Sequence, residues 1–134
     1  MEFLEPVIGG IAAFLLGSLW CTVLFGKKWQ AETGISDEDA KKGIGLTHGL
    51  ALVCMIIMSF PLNEFVIKSH AVAEQTFAHG AFHGAMTGLL YGATATGIHY
   101  LYQRKSLKLF LIDASHIVAF LALSGGGMAA LHLG

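Results

Sequence analysis

The stretch AHGAFHGAMTGLLYGATATG, from Ala78 to Gly97, decides how this chain folds. It contains no acidic residue, lysine or arginine, but it carries glycines at strict four-residue spacing and two histidines one helical turn apart. In lipid, helices associate through close backbone contact, which small residues at this spacing permit. The stretch therefore predicts a membrane helix that packs tightly against another helix. The glycines of this ladder are Gly80, Gly84, Gly88 and Gly92.

The composition of the 134-residue chain is unlike that of a water-soluble domain. Hydrophobic residues make up 54% of the chain and charged residues only 13%, whereas soluble domains carry about 25% charged residues. Too few charges are therefore present to cover a surface that faces water. No basic patch with interleaved aromatic residues suggests a nucleic-acid partner, so the lipid bilayer is the partner to expect.

Four runs of the sequence are almost free of charged side chains. A helix needs about 20 mostly apolar residues to cross the hydrocarbon core of a bilayer, and each run is long enough. They predict an all-α, polytopic membrane protein with four transmembrane helices and short loops, folded as one transmembrane domain over residues 1–134. The predicted spans are 7–26, 43–66, 76–103 and 108–132.

Basic residues are divided unequally among the three predicted loops. Seven of the eight lysines and arginines flank loop 1 or lie in loop 3, and only Lys68 lies in loop 2. Because cytoplasmic loops carry the excess of Lys and Arg, loops 1 and 3 are predicted to be cytoplasmic, with both chain termini outside. Trp20 and Trp29 lie where the first span should leave the membrane, and we expect them to anchor it at the interface.

The second span has a start signal and a stop signal. Ser36 and Asp39 fit a capping box, which predicts that a helix begins near Asp37 and enters the membrane around Gly43. Pro61 is expected to kink or end this helix, because proline has no backbone N–H to give to the helical hydrogen bonds.

Two blocks of sequence carry a family resemblance. The first is LGSLWCTVLFGKKW from Leu16 to Trp29, and the second is SLKLFLIDASH from Ser106 to His116. With these blocks the chain resembles a family of small bacterial membrane proteins known as domain of unknown function 1761. Two positions depart from the usual pattern: Val23 stands where proline is common, and His116 where an aromatic residue is. The resemblance implies a four-helix fold in the bacterial inner membrane, and no particular activity.

Four ionisable residues are predicted to lie in the cytoplasmic half of the membrane. An ionisable group at this depth costs about 2.5–3.5 kcal/mol on insertion scales, so it usually faces protein or a cavity. These residues are candidates for binding an ion or a proton. For Asp113 the alternative is a set of ion pairs with the basic residues of loop 3. The four residues are His48, His99, Asp113 and His116.

The histidines of the opening stretch are a candidate metal site. His79 and His83 lie four residues apart, so both rings project from one face of a helix. This spacing can bind zinc or copper when a third ligand comes from elsewhere, and Glu64, Asn63 or His132 could supply it. The alternatives are a proton relay, or two interfacial histidines bonded to neighbouring helices or water.

Three classes of function stay open from the sequence. The ionisable residues in the spans favour a small oligomeric transporter or channel for a proton, a cation or a small solute. The glycine ladder fits equally well a structural or partner-binding membrane protein, and the histidine pair fits a metal-binding one. No motif predicts an enzyme and no cofactor is required. The small interior of a four-helix bundle favours a homo-oligomer.

Overall fold

The computed structural model describes residues 3–131, and every regular element in this range is helical. The all-α prediction is therefore confirmed. The helices, in chain order, are α1 (Leu4–Leu19), α2 (Gly26–Thr33), α3 (Asp37–Lys41), α4 (Ile44–Pro61), α5 (Phe77–Thr87), α6 (Thr94–Tyr102) and α7 (Leu107–Leu131).

Three π-helical turns belong to the long helices. The turn Trp20–Leu24 extends α1, and the turn Leu62–Ile67 extends α4 directly after Pro61. The turn Gly88–Ala93 joins α5 to α6, so that one continuous helix runs from Phe77 to Tyr102. Pro61 therefore does not end the helix, because the chain changes from α-helical to π-helical after it and stays helical as far as Ile67.

Within residues 3–131, three helices are long and apolar enough to cross a membrane: Leu4–Leu24, Ile44–Ile67 and Leu107–Leu131. They coincide with the first, second and fourth predicted spans. The continuous α5–α6 helix has a similar length but is not among them, because its histidines, glycines and threonines lower its hydropathy. We call the end of the bundle with loop 68–76 the histidine end, and the end with loops 25–43 and 103–106 the basic end.

The predicted start of the second long helix is wrong in one respect. Ser36 does cap a helix, because its hydroxyl accepts a hydrogen bond of 3.1 Å from the backbone N–H of Asp39. That helix is the separate α3, which ends at Lys41. Gly43 then adopts a left-handed conformation with φ of 62°, which glycine tolerates because it has no side chain. The break lets α4 begin afresh at Ile44.

The glycine ladder packs against α7 of the same chain. A side chain at Gly80 would overlap the backbone of Gly125, and one at Gly84 would overlap the backbone of Leu121. At Gly88 the Cα of Val118 would be 2.9 Å from an added Cβ. The two backbones therefore touch, as small residues at four-residue spacing allow in lipid.

Glycine contacts with α7 continue after Gly92, which lies within the π turn, but the spacing of the glycines changes. Gly92 lies against Ile117 of α7, and the next glycine to contact α7 is Gly97, against the ring of Phe110. These two glycines are five residues apart, whereas the glycines from Gly80 to Gly92 follow one another at four-residue spacing.

The central helix α7 contacts α5 on one side and α1 on another, and α4 packs chiefly against α1. Gly10 brings α1 onto the backbone of α4 at Ile56. Buried polar side chains join the elements: Ser59 and Ser124 share a hydrogen bond of 2.9 Å, and Asn63 donates one of 2.9 Å to Glu5. The apolar core lies around them and consists of Ala13, Leu62, Ile67, Phe120, Leu121, Met128 and Ala129.

Candidate functional site

Three histidines converge at the histidine end of the bundle. His79 and His83 are on α5, and His70 comes from the loop that follows α4. One ring nitrogen from each histidine lies within 4.8 Å of the other two. The Nε2 atoms of His79 and His83 are 2.8 Å apart, and the ring centre of His70 is 4.6 Å and 4.5 Å from their ring centres.

The loop holds His70 in a defined orientation. Its Nδ1 is 2.8 Å from the carbonyl oxygen of Val66. Because a carbonyl only accepts hydrogen bonds, Nδ1 carries the proton and Nε2 keeps its lone pair. The side-chain amide of Gln75 donates a hydrogen bond of 2.9 Å to the backbone carbonyl of His70. A hydrogen bond from the second ring nitrogen to a carbonyl is the usual way in which proteins orient a metal-binding histidine.

The helix start fixes the other two rings. The hydroxyl of Thr76 accepts a hydrogen bond of 3.3 Å from the backbone N–H of His79 and so caps α5. Gly80, one residue further on, holds this turn against Gly125 of α7. His79 and His83 are therefore attached to the most tightly packed part of the fold.

A cavity of about 10 Å³ lies among the three rings. It is about the smallest volume that accommodates one water-sized particle. Glu74 and Gln75 also line it from the loop, and Ile67, Gly80 and Ala129 complete its wall. The space thus suits a single ion or water and excludes an organic ligand.

The third histidine is a residue that the sequence reasoning missed. Glu64 was the first suggestion, but its carboxylate accepts a hydrogen bond of 2.8 Å from Lys68 and does not join the group. Asn63 is turned toward Glu5, and His132 lies outside the described residues. His70 is nine residues before His79 in a loop, and no helical period links the two positions.

The other ionisable candidates do not converge. Asp113 accepts a hydrogen bond from the hydroxyl of Tyr100. The ring of His116 stacks on Trp20 with centres 6.1 Å apart, and its buried Nε2 has no hydrogen-bond partner within residues 3–131. His48 meets the ring of Phe14 edge-on.

The remaining predicted positions are exposed or half-buried. His99 is exposed on α6, and Trp29 is half-buried on α2. In the described part of the chain, the only group of three or more histidines, cysteines and acids placed to hold a metal is the one at the histidine end.

The basic end is held together by loop contacts. Ser106 donates a hydrogen bond to Glu32, and the ammonium of Lys108 lies 3.5 Å from the same carboxylate. These two groups, first Ser106 and then Lys108, hold the pKa of Glu32 below its usual value. Lys42 and then Ser36 lower the pKa of Asp39 in the same way. Among the described residues, Lys108 thus pairs with Glu32 and not with Asp113, for which ion pairs with loop 3 were the alternative interpretation.

These features define an all-helical protein with three helices apolar enough for a membrane and a cluster of three histidines at one end of the bundle. A family model described as "Protein of unknown function (DUF1761)" matches residues 4–128, and the chain belongs to this family. The resemblance drawn from the two sequence blocks is confirmed. No curated protein and no solved structure matches the chain.

Proposed function

We propose that this protein is a membrane protein that binds a divalent transition metal, zinc or copper, through His70, His79 and His83. The observation that carries the proposal is the convergence of three ring nitrogens within 4.8 Å around a small cavity. Imidazole ligands suit Zn²⁺, Cu²⁺ and Ni²⁺, and neutral histidine is the commonest metal ligand in proteins.

The distances fit a metal after small side-chain rotations. Two nitrogens bound to one tetrahedral zinc at about 2.05 Å are separated by about 3.3 Å. The His79 and His83 nitrogens are 2.8 Å apart, and every pair in the cluster lies within 4.8 Å. The required separation of about 3.3 Å is close to the distance between the His79 and His83 nitrogens and lies within the limit that holds for every pair.

Three histidines leave the fourth position of a tetrahedral metal open. Structural zinc sites close all four positions with protein ligands, whereas sites that exchange a ligand keep one open. We therefore propose that water or another exchangeable ligand completes the coordination of the bound metal. In the proposed topology the α5–α6 helix is the third of four spans. The distribution of basic residues then puts loops 1 and 3 in the bacterial cytoplasm, so the histidine cluster faces outside.

Passage of a proton, cation or small solute is the second candidate function. A polar cavity of about 430 Å³ next to Asp113 at the basic end favours it. Along α7, however, the buried Phe120 and Leu121 separate His116 from the Ser59–Ser124 hydrogen bond. The homo-oligomer also stays a proposal, and the glycine ladder no longer argues for it, because α7 of the same chain covers the ladder.

Metal titration of protein purified without a histidine tag tests the proposal. We expect one equivalent of Zn²⁺ or Cu²⁺ per chain by calorimetry and by elemental analysis. His70→Ala and His83→Ala should each weaken metal binding by about 100-fold or more, because each removes one of the three proposed ligands. His48→Ala and His99→Ala are matched controls that should bind like the parent protein. Less than about 0.1 equivalent of metal, or equal binding by all four variants, would refute the site.

A further inference from the structure

Two neighbouring cavities at the basic end share the residues Tyr100, Lys105 and Ser106. One is polar and has a volume of about 430 Å³. The other is an apolar groove of about 270 Å³ on the lipid-facing side of the α6–α7 turn. From this arrangement we infer that the pair of cavities binds one phospholipid whose headgroup carries a phosphate and a primary ammonium, as in phosphatidylethanolamine.

The polar cavity contains charges of both signs. Arg104 and Lys105 supply two cations, and Glu32 and Asp113 supply two carboxylates. Within residues 3–131, neither of these two cations lies within ion-pair distance of an acid. The ammonium of Lys105 sits 4.7 Å from the ring centre of Tyr100 instead. The guanidinium of Arg104 is thus available for a phosphate, which arginine can bind through two parallel hydrogen bonds.

Of the two carboxylates, that of Asp113 is only partly occupied by the described residues. The hydroxyl of Tyr100 donates to Oδ2 of Asp113, and no described residue donates to its Oδ1. The carboxylate of Glu32 accepts a hydrogen bond from the hydroxyl of Ser106 and lies 3.5 Å from the ammonium of Lys108. A primary ammonium has three N–H donors, so it can use the free oxygen of Asp113. A trimethylated ammonium has no such donor, and a glycerol headgroup has no positive charge.

The apolar groove has the position and shape for an acyl chain. Leu101 and Leu107 line it and are 80% and 71% exposed, so in the proposed four-span topology it faces the lipid. Gly97 gives the groove its depth, because a Cβ there would come within 3.2 Å of the ring of Phe110. Trp29 lines the polar cavity, and tryptophan is enriched where headgroups begin.

A lipid explains both cavities, whereas a soluble zwitterion would fill only the polar one. The ligand must carry its headgroup charges next to an apolar chain. Arg104 lines the polar cavity and Leu107 lines the apolar groove, while Lys105 and Ser106 line both. The inference uses none of the three metal-site histidines, so it stands or falls apart from the proposed metal site.

Native mass spectrometry of delipidated protein in a non-ionic detergent tests the inference. Phosphatidylethanolamine, phosphatidylglycerol and phosphatidylcholine with identical acyl chains are titrated separately. We expect phosphatidylethanolamine to bind about tenfold more tightly than the other two. Equal affinity for all three lipids, or tighter binding of phosphatidylglycerol, would overturn the assignment of a zwitterionic site.

Variants that remove one charge each test the contacts with the phosphate and with the ammonium separately from the groove. Arg104→Gln should weaken phosphatidylethanolamine about fivefold, since one basic residue contributes about 1 kcal/mol to lipid binding. Asp113→Asn should weaken phosphatidylethanolamine but not phosphatidylglycerol, and Glu32→Gln provides a second test if Asp113→Asn does not fold. Lys41→Gln, on α3, is the matched control and should bind like the parent protein.

Gly97→Leu tests the groove and the identity of the ligand. The new side chain should reduce binding of intact phosphatidylethanolamine about tenfold and leave binding of free phosphoethanolamine unchanged. Circular dichroism and the midpoint of thermal unfolding should match the parent protein, which shows that the fold is intact. If Gly97→Leu leaves lipid binding unchanged, or if free phosphoethanolamine competes as well as the lipid, the site is not a phospholipid site.

Discussion

The α5 helix and the first half of α4 carry the same kind of pattern but occupy different environments. Gly80 and Gly84 of α5 lie on the backbone of α7, whereas Gly45 and Gly49 of α4 have no atom within 4 Å of an added Cβ. The difference comes from the facing helix: α7 offers Gly125 at the matching height. Four-residue glycine spacing permits a close contact, but in the described residues the contact forms only where a second helix lies against the glycines.

The comparison extends to function. The histidine cluster is built on the tightly packed end of α5, next to Gly80. The residues of α4 that lie near the basic end, among them Leu46, His48 and Leu50, are exposed in the single chain. Preorganised ligands need rigid support, because loose side chains lose binding energy to ordering. The histidine end has that support.

The largest expected effect comes from filling one glycine in each region. Gly84→Leu forces a side chain into the backbone of Leu121, and overpacking of this kind costs about 3 kcal/mol or more. Gly49→Leu, with open space around it, should change the unfolding free energy by less than about 0.5 kcal/mol. Unfolding in mixed detergent micelles measures both. Equal destabilisation by the two variants would show that α4 is also covered.

The second expected effect is stabilisation by metal. At a free Zn²⁺ concentration 100 times the Kd, binding to the folded state alone adds about 2.7 kcal/mol to the unfolding free energy. A chelator should reverse the gain, and His83→Ala should abolish it. His99→Ala serves as the matched control on the same continuous helix. A zinc response that persists in His83→Ala would place the metal elsewhere.

A smaller effect is expected at the buried serine pair. Ser124→Ala removes the hydrogen bond to Ser59, whose hydroxyl keeps its bond of 2.9 Å to the carbonyl of Met55. Side-chain hydrogen bonds between membrane helices contribute about 0.6 kcal/mol on average. A double-mutant cycle with Ser59→Ala, measured by thermal unfolding, isolates the coupling energy between the two serines. A coupling energy near zero would mean that packing alone holds α4 to α7 there.

The smallest effect concerns pH at the basic end. Ser106 and Lys108 lower the pKa of Glu32. The ionised carboxylate of Glu32 is therefore more stable in the folded state than in the unfolded chain. This contribution is fully present above the ordinary glutamate pKa and is lost as pH falls through the lowered value. Glu32→Gln should therefore flatten the acid limb of stability, whereas Glu38→Gln on α3 should not. Matching curves for the two variants would rule out the contact.

The positions of the long helices could be predicted because they follow from runs of apolar residues, which one sequence displays directly. The break at Gly43 could not, since it depends on a left-handed residue that lies next to an extended Lys42. His70 was missed because a loop brings it to α5, and loop paths have no period. Glu5 was missed too: it lies near the chain start, yet its side chain is 4% exposed and accepts from Asn63.

The π turn Gly88–Ala93 sets the angular phase between the two ends of one helix. Each residue of an α-helix turns the chain by about 100°, and a π turn accommodates one extra residue within the helix. Deleting Leu89 would remove the extra residue and restore a regular helix, with Thr94–Tyr102 kept in its orientation relative to His79 and His83. Tyr100 would then still meet Asp113, so the sequence holds one residue more between the two ends than a regular α-helix of the same shape requires.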